Sequence, residues 1–137
     1  MNSFDRVMTA LGHKEPDRVP VFLFLTVHGA KEQGLTIEHY FSKAENVAKG
    51  QLNLLSKYRH DCLYPFFYAS KEVEAFGGTT IFFKDGPPNA GSPKIKNVEE
   101  IDDLTCPDPQ ESEALKEPLK AVKLLAKEKK KDRKSVV

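Results

Sequence analysis

A histidine and two cysteines are the residues of this sequence best suited to holding a metal ion. His60 and Cys62 are separated by one residue, and Cys106 follows much later in the chain. On a strand, residues i and i+2 share a face, so the first two could reach one zinc ion, which would lower the pKa of a bound thiol. The spacing to Cys106 is a single unsupported match, and a structural cysteine beside a surface histidine is the simpler interpretation. We therefore predict no metal site in this chain.

Three further residues are candidates for binding a substrate, because each lies at or near the end of an apolar run. His28 follows the run at residues 21–27, and histidine is a common general acid and base, so it could donate a proton or orient a ligand. Tyr68 has the same placement in a second run, at residues 62–68, and Phe67 beside it could form the wall of a pocket. The alternatives are a locally hydrogen-bonded loop histidine and ordinary core packing of the two aromatic residues.

The elements that must position these side chains are predicted from the apolar pattern. Residues 21–27 are apolar at nearly every position, which favours a strand buried on both faces, as in parallel sheets. Residues 62–68 predict a second such strand, with a bulge at Pro65. Residues 79–83 predict a third, short strand. Residues 85–88 follow it and form either a tight turn or a substrate loop.

Helical periodicity fills the sequence between these strands. Ser3 can cap a first helix, and Gly12 can end it. Its apolar face is Phe4, Val7, Met8 and Leu11. Further helices are predicted over residues 36–41, 44–58, 70–76 and 98–104. A last, long helix reaches about residue 130, and its predicted apolar face is Leu115, Leu119, Val122 and Ala126.

Composition excludes several classes of function. The 21 basic and 20 acidic side chains nearly balance, so charge gives no argument for binding nucleic acid or an anionic membrane. No apolar stretch approaches the ~20 residues of a membrane helix, and the N-terminus lacks the pattern of a signal peptide. Two cysteines do not make a disulfide framework. We expect a cytoplasmic protein with reduced thiols.

Three stretches of the sequence resemble the superfamily of uroporphyrinogen decarboxylases and corrinoid methyltransferases. Residues 6–21, RVMTALGHKEPDRVPV, resemble its opening helix and the proline-bounded entry to its first barrel strand. Residues 58–65, YRHDCLYP, look like its second strand. Residues 73–78, VEAFGG, and 82–88, FFKDGPP, look like the segment that follows. The resemblance covers about residues 3–130.

The resemblance implies an α/β fold of the TIM-barrel type, with residues 1–137 as one domain. A (β/α)8 barrel takes roughly 250 residues, so this sequence would supply a partial barrel. We expect the N-terminal helices, the first two to three parallel strands and a small β excursion, with another strand opening at residues 135–137. Parallel strands with uncovered edges are a liability. We therefore expect either an N-terminal fragment of a longer protein or self-association through the exposed strand edges.

The superfamily divides into two chemistries, and the resemblance places their functional residues differently. Decarboxylases remove acetate carboxyls from a tetrapyrrole without a cofactor, using arginines that here align near Leu25 and Gly29. Their aspartate for the pyrrole nitrogens aligns near Tyr68. None of these three side chains carries a charge at neutral pH, whereas arginine is the natural bidentate partner of carboxylates. The methyltransferases instead hold zinc through a histidine, a nearby cysteine and a later cysteine, all in their C-terminal half.

These comparisons favour a methyltransferase-like member that moves a methyl group between a corrinoid protein and a thiol. We predict no cofactor and no catalysis in this chain by itself, zinc in the full-length methyltransferase, and a corrinoid on a partner protein. The substrate-binding candidates are His28, Phe67 and Tyr68. One alternative is uroporphyrinogen decarboxylation in porphyrin biosynthesis, for which Lys31 is the only cation close to the expected pocket. The other is a non-enzymatic remnant or assembly module.

Overall fold

A computed structural model describes residues 1–131 of the chain, in which helices predominate. The strand predicted at residues 135–137 lies outside this range. Within it, no helix has both the length and the apolar character needed to span a bilayer. The elements are α1 Ser3–Leu11, α2 His28–Glu32, α3 Ile37–Phe41, α4 Ala44–Tyr58, α5 Lys71–Ala75, β1 Thr80–Ile81, β2 Asn89–Ala90, a 3-10 helix at Val98–Ile101, and α6 Glu113–Lys131.

The central element is α4, which packs against α2, α3 and α6. Its predicted range is confirmed, and Val47, Gln51 and Leu54 are buried along one side. The neighbouring α3 is also confirmed. Its N-terminus is capped by Thr36, whose hydroxyl oxygen accepts a hydrogen bond of 3.2 Å from the backbone N–H of His39. Periodicity and caps therefore predict these two helices well.

The short helix α2 was not expected, because the sequence predicts that His28 and Gly29 end a strand. Its N-cap residue, Val27, provides no side-chain hydrogen bond, and Gly29 disfavours a helix intrinsically. Tertiary packing explains why it forms. Gly29 and Ala30 are buried, and the absence of a side chain at Gly29 lets α2 approach the ring of Tyr40 closely. This helix places His28 at its first position.

The first helix forms as predicted, but with a different cap and a different buried residue. Asn2 is the N-cap, and its side-chain oxygen accepts a hydrogen bond of 2.8 Å from the N–H of Asp5. Ser3, the predicted cap, donates its hydroxyl hydrogen to Asp61 instead. The buried residue of α1 is Arg6, whereas much of the predicted apolar face is exposed, including Leu11.

The long helix α6 packs on α4 through a face other than the predicted one. Ala121 and Leu125, four residues apart, are its buried residues. The small side chain of Ala121 allows close approach, and Lys120 forms an exposed ion pair of 2.7 Å with Glu45 of α4. The sequence predicted a different contact face, displaced by about one residue around the helix from the observed one. That predicted face is Leu115, Leu119, Val122 and Ala126. That prediction is wrong.

Residues 21–27 and 62–68 do not form the predicted strands, although they run side by side. The N–H of Asp61 donates to the carbonyl of Val21 at 2.8 Å. Farther along, the ring centroids of Phe22 and Tyr64 are 5.3 Å apart, and those of Phe24 and Phe66 are 6.3 Å apart. From one contact to the next, the residue number increases in both segments, so the two segments run parallel. The two segments therefore run in the predicted parallel direction, but they do not form the predicted ladder of backbone hydrogen bonds.

A buried side chain explains why no ladder forms between these segments. The amide nitrogen of Gln51 donates to the carbonyl of Leu25 at 3.3 Å, and its oxygen accepts from the N–H of Tyr64 at 3.2 Å. The Gln51 amide thus takes up backbone groups that strand pairing would use. The N–H of Leu25 also turns back to the carbonyl of Leu23, and Pro65 has no N–H to donate.

Burial on both faces is also not observed for residues 21–27. Phe22 and Phe24 are 50% and 62% exposed. On one surface, Phe22 contacts Tyr64 edge-on, Phe24 lies tilted against Tyr64, and Tyr64 stacks on Phe66. We call these four rings the aromatic face. The opposite side of the second segment is buried through Leu63 and Phe67.

The sheet in residues 1–131 is antiparallel and has two short strands. Thr80 pairs with Ala90, and Ile81 pairs with Asn89. The strand predicted at residues 79–83 is therefore reduced to two residues, and the prediction of two to three paired parallel strands is wrong for the described part of the chain. The small β excursion is present as this β1–β2 hairpin.

Candidate functional site

The buried carboxylate of Asp61 lies where both parallel segments begin. Its side chain is completely shielded from solvent. One oxygen accepts from the hydroxyl of Ser3 at 2.8 Å and from Arg6 Nη1 at 2.6 Å. The other accepts from the N–H of Val21 at 2.8 Å and lies 2.7 Å from Arg18 Nη1. The side chain of Asp61 therefore joins three parts of the chain to the start of the second segment. These parts are α1, the proline-bounded residues that follow it, and the first segment.

Charge in this cluster is closely matched. Burial alone would raise the pKa of Asp61, but the hydrogen bonds from Val21, Ser3, Arg18 and Arg6 outweigh it and lower the pKa from 3.8 to about 2. Arg6 also donates to Asp17 at 2.7 Å and 2.9 Å, a bidentate pair that holds the pKa of Asp17 well below its usual range. The cluster stays ionised at neutral pH and acts as a structural clamp.

At the far end of the first segment the chain forms a cleft of about 380 Å³. His28 and Lys31 enter it from α2, and Lys84 and Asp85 enter it from the loop between β1 and β2. Its apolar wall is Val27, Ala30, Leu35 and Ile37. Three basic side chains and one acid around an apolar floor are suited to a small anionic ligand that also has an apolar part.

The structure separates the three predicted substrate-binding residues. His28 is exposed and lines the cleft. Phe67 and Tyr68 are 3% and 4% exposed and belong to the core, where both contact the ring of Phe41. Asp85, from the segment predicted to form either a tight turn or a substrate loop, stands beside His28 together with Lys84, for which no role was predicted. The substrate-binding role of His28, Phe67 and Tyr68 remains a prediction.

Tyr68 interacts with two neighbouring charged side chains. Its hydroxyl donates to Glu74 at 2.8 Å, and the ammonium of Lys71 lies 2.7 Å from the same carboxylate and 4.9 Å from the tyrosine ring centre. Burial and the nearby carboxylate raise the pKa of Tyr68 far above its ordinary value. The hydroxyl is therefore a permanent donor, already used within the core.

The zinc pattern considered from sequence is not assembled in the described residues. His60 is buried and its Nδ1 has no hydrogen-bond partner, Cys62 is half-buried, and Cys106 is exposed. Burial raises the pKa of the Cys62 thiol, which disfavours the thiolate that a metal requires. No three His, Cys, Asp or Glu side chains between residues 1 and 128 come together as a metal-binding group.

The chain belongs to the uroporphyrinogen decarboxylase (URO-D) family, whose family model matches residues 2–136. Family membership implies a TIM-barrel fold, and the parallel course of residues 21–27 and 62–68 is compatible with the first part of such a barrel. Neither the curated proteins nor the solved structures gave a match. The resemblance stated from the sequence is thereby confirmed at the level of the family.

Proposed function

We propose that the chain forms the N-terminal, substrate-facing part of a methyltransferase-like URO-D family member, which moves a methyl group between a corrinoid protein and a thiol. The packing of Gly29 on Tyr40 carries this proposal. A Cβ built on Gly29 would lie 2.4 Å from the hydroxyl oxygen of Tyr40, which is shorter than any normal contact. An arginine therefore cannot stand at this position without displacing the core.

Two further positions support the same conclusion. Leu25 is apolar, and its carbonyl accepts a hydrogen bond from Gln51, so this residue is part of the internal structure. Tyr68 already donates its hydroxyl to Glu74 and provides no anion for pyrrole nitrogens. All three positions aligned with the substrate groups of a decarboxylase thus have structural roles here. This loss of carboxylate and pyrrole ligands favours the methyltransferase branch.

A second candidate, uroporphyrinogen decarboxylation, is favoured by one observation. Lys31 and Lys84 line the same cleft as His28, although they come from different parts of the chain. In this candidate the two ammonium groups would replace the arginines as partners of substrate carboxylates. Lysine supplies a point charge without the planar, bidentate geometry of arginine, so its selection among several carboxylates would be weaker.

Ligand binding to the purified chain distinguishes the two candidates. We would measure the binding of methylcobalamin and of uroporphyrin by equilibrium dialysis with absorbance detection. The methyltransferase proposal predicts saturable binding of methylcobalamin and none of uroporphyrin. Saturable uroporphyrin binding that is lost in the K31Q/K84Q double variant would favour decarboxylation. The matched control is K49Q/K123Q, which removes the same charge from exposed positions elsewhere.

The reading frame that encodes the chain provides an independent test. Residues 1–128 supply no metal-binding group, so the zinc of a methyltransferase requires other residues. A longer reading frame with a histidine, a nearby cysteine and a later cysteine, whose product transfers the methyl group of methylcobalamin to a thiol, would support the proposal. A product that decarboxylates uroporphyrinogen would overturn it.

A further inference from the structure

A second cleft, of about 550 Å³, lies between α5 and the loop that follows β2. It is lined by different residues from those of the His28 cleft. Its volume falls within the roughly 300–1,000 Å³ of small-molecule pockets. Two charged residues, Glu72 and Lys94, stand among its otherwise largely apolar lining. The apolar wall consists of Val73, Phe76, Ala90, Pro93, Ile95 and Leu104.

The walls of this cleft are held in place by hydrogen bonds that do not need a ligand. The N–H of Gly78 donates to the carbonyl of Val73 at 2.8 Å, which ends α5. The N–H of Gly91 donates to the carbonyl of Thr79 at 2.8 Å, which fixes the far wall to the start of the hairpin. A side chain at position 91 would meet the Thr79 hydroxyl at 2.3 Å, so glycine is needed where the far wall packs on the start of the hairpin.

The charges of the cleft restrict what it can hold. The ammonium of Lys94 donates to the carbonyl of Phe76 and thereby joins the two walls. An ammonium has three N–H donors, and this contact uses one, so others remain for a ligand. A purely apolar ligand would cover Lys94 without pairing it, which costs free energy. Glu72 repels an anion, so a ligand's charged group is favoured at Lys94.

We propose that this cleft binds a small amphipathic anion, with an apolar body against Val73 and Phe76 and one carboxylate or sulfonate group paired with Lys94. The proposal does not depend on the activity of the His28 cleft or on the branch of the family. It assigns a second ligand site to the part of the chain between α5 and the 3-10 helix.

Two fluorescent probes with the same aromatic body test the proposal. One is 1-anilinonaphthalene-8-sulfonate, which is anionic, and the other is N-phenyl-1-naphthylamine, which lacks the sulfonate. We expect each to bind the intact chain saturably at one site. Lys94→Gln retains a donor for Phe76 but removes the charge, so it should weaken the anionic probe about tenfold and leave the Kd of the neutral probe unchanged. Phe76→Gln should weaken both.

The control variant is Phe24→Ser on the aromatic face, an exposed apolar surface that could also take up such dyes. It should leave the Kd of both probes unchanged. Equal effects of Lys94→Gln on the two probes would overturn the charge assignment, and loss of binding in Phe24→Ser would move the site to the aromatic face. Non-saturable binding would also overturn the proposal. Circular dichroism of each variant verifies that the helices are retained.

Discussion

The guanidinium of Arg6 lies 2.6 Å from the carboxylate of Asp61, a residue 55 positions later in the chain. Both side chains are almost completely shielded from water. Arg18 and the N–H of Val21 reach the same carboxylate, so the contact fixes α1 and the first parallel segment to the second. An ionised carboxylate in this position is stable only while its partners surround it.

Replacing Asp61 by asparagine should therefore destabilise the fold. The amide has the same shape but leaves the buried guanidinium of Arg6 without its full counter-charge, and breaking such a pair costs about 3 kcal/mol of unfolding free energy. Urea denaturation measures the loss. Asp102→Asn, at an exposed position, is the control and should change stability by less than about 0.5 kcal/mol. Equal stability of the two variants would show that the clamp is not required.

Acid should destabilise the protein through the same carboxylate. The pKa of Asp61 is about 2 in the folded chain and 3.8 ordinarily, so the folded state favours the ionised form. Its contribution is complete above pH 4 and is lost as the pH falls from about 4 to about 2. The thermal midpoint should decrease over this range, and less steeply in Asp61→Asn. Identical slopes in the two proteins would contradict the assignment.

Gly29→Ala should reduce stability despite the better helix propensity of alanine. The added methyl group would lie 2.4 Å from the Tyr40 hydroxyl oxygen. Overpacking of this kind costs about 2 kcal/mol, against a helix gain of about 1 kcal/mol. Tyr40→Phe removes the nearest atom, so the alanine should cost less in that background. Gly86→Ala, where the nearest atom is 3.9 Å away, is the control. A stabilised Gly29→Ala would remove the main support for the proposed function.

Arg59→Gly should stabilise the protein. Arg59 ends α4 with φ 51° and ψ 38°, a left-handed conformation that glycine adopts without steric cost. The gain should be about 1 kcal/mol, measured by thermal or urea unfolding. Asn53→Gly, inside the same helix, should instead lose about 0.4 kcal/mol. Stabilisation by both glycines, or by neither, would show that the backbone at position 59 is not strained.

Local signals explain which parts of the fold could be predicted. The helices α3 and α4 follow from periodicity and from the Thr36 cap, because those patterns act within a few residues. The absence of strand pairing at residues 21–27 could not be predicted in the same way. The lack of pairing depends on Gln51 of α4, whose amide bonds to both segments. In the sequence, Gln51 lies among apolar positions and is predicted only to be part of a helical face.

The candidate site was predictable only where it depends on one segment. His28 and Lys31 follow the first apolar run, and their proximity to an expected pocket is evident from the sequence. Lys84 and Asp85 join them through the β1–β2 hairpin, which no local pattern relates to α2. The Asp61 clamp was also missed, although Arg6, Arg18 and Asp61 all lie in the stretches that carry the family resemblance.

The Gln51 bridge has a consequence for how the two parallel segments are joined. A carboxamide that bonds to both main chains takes the place of direct pairing, and its burial holds it in this position. A shorter residue at position 51 would leave the carbonyl of Leu25 and the N–H of Tyr64 without this shared partner.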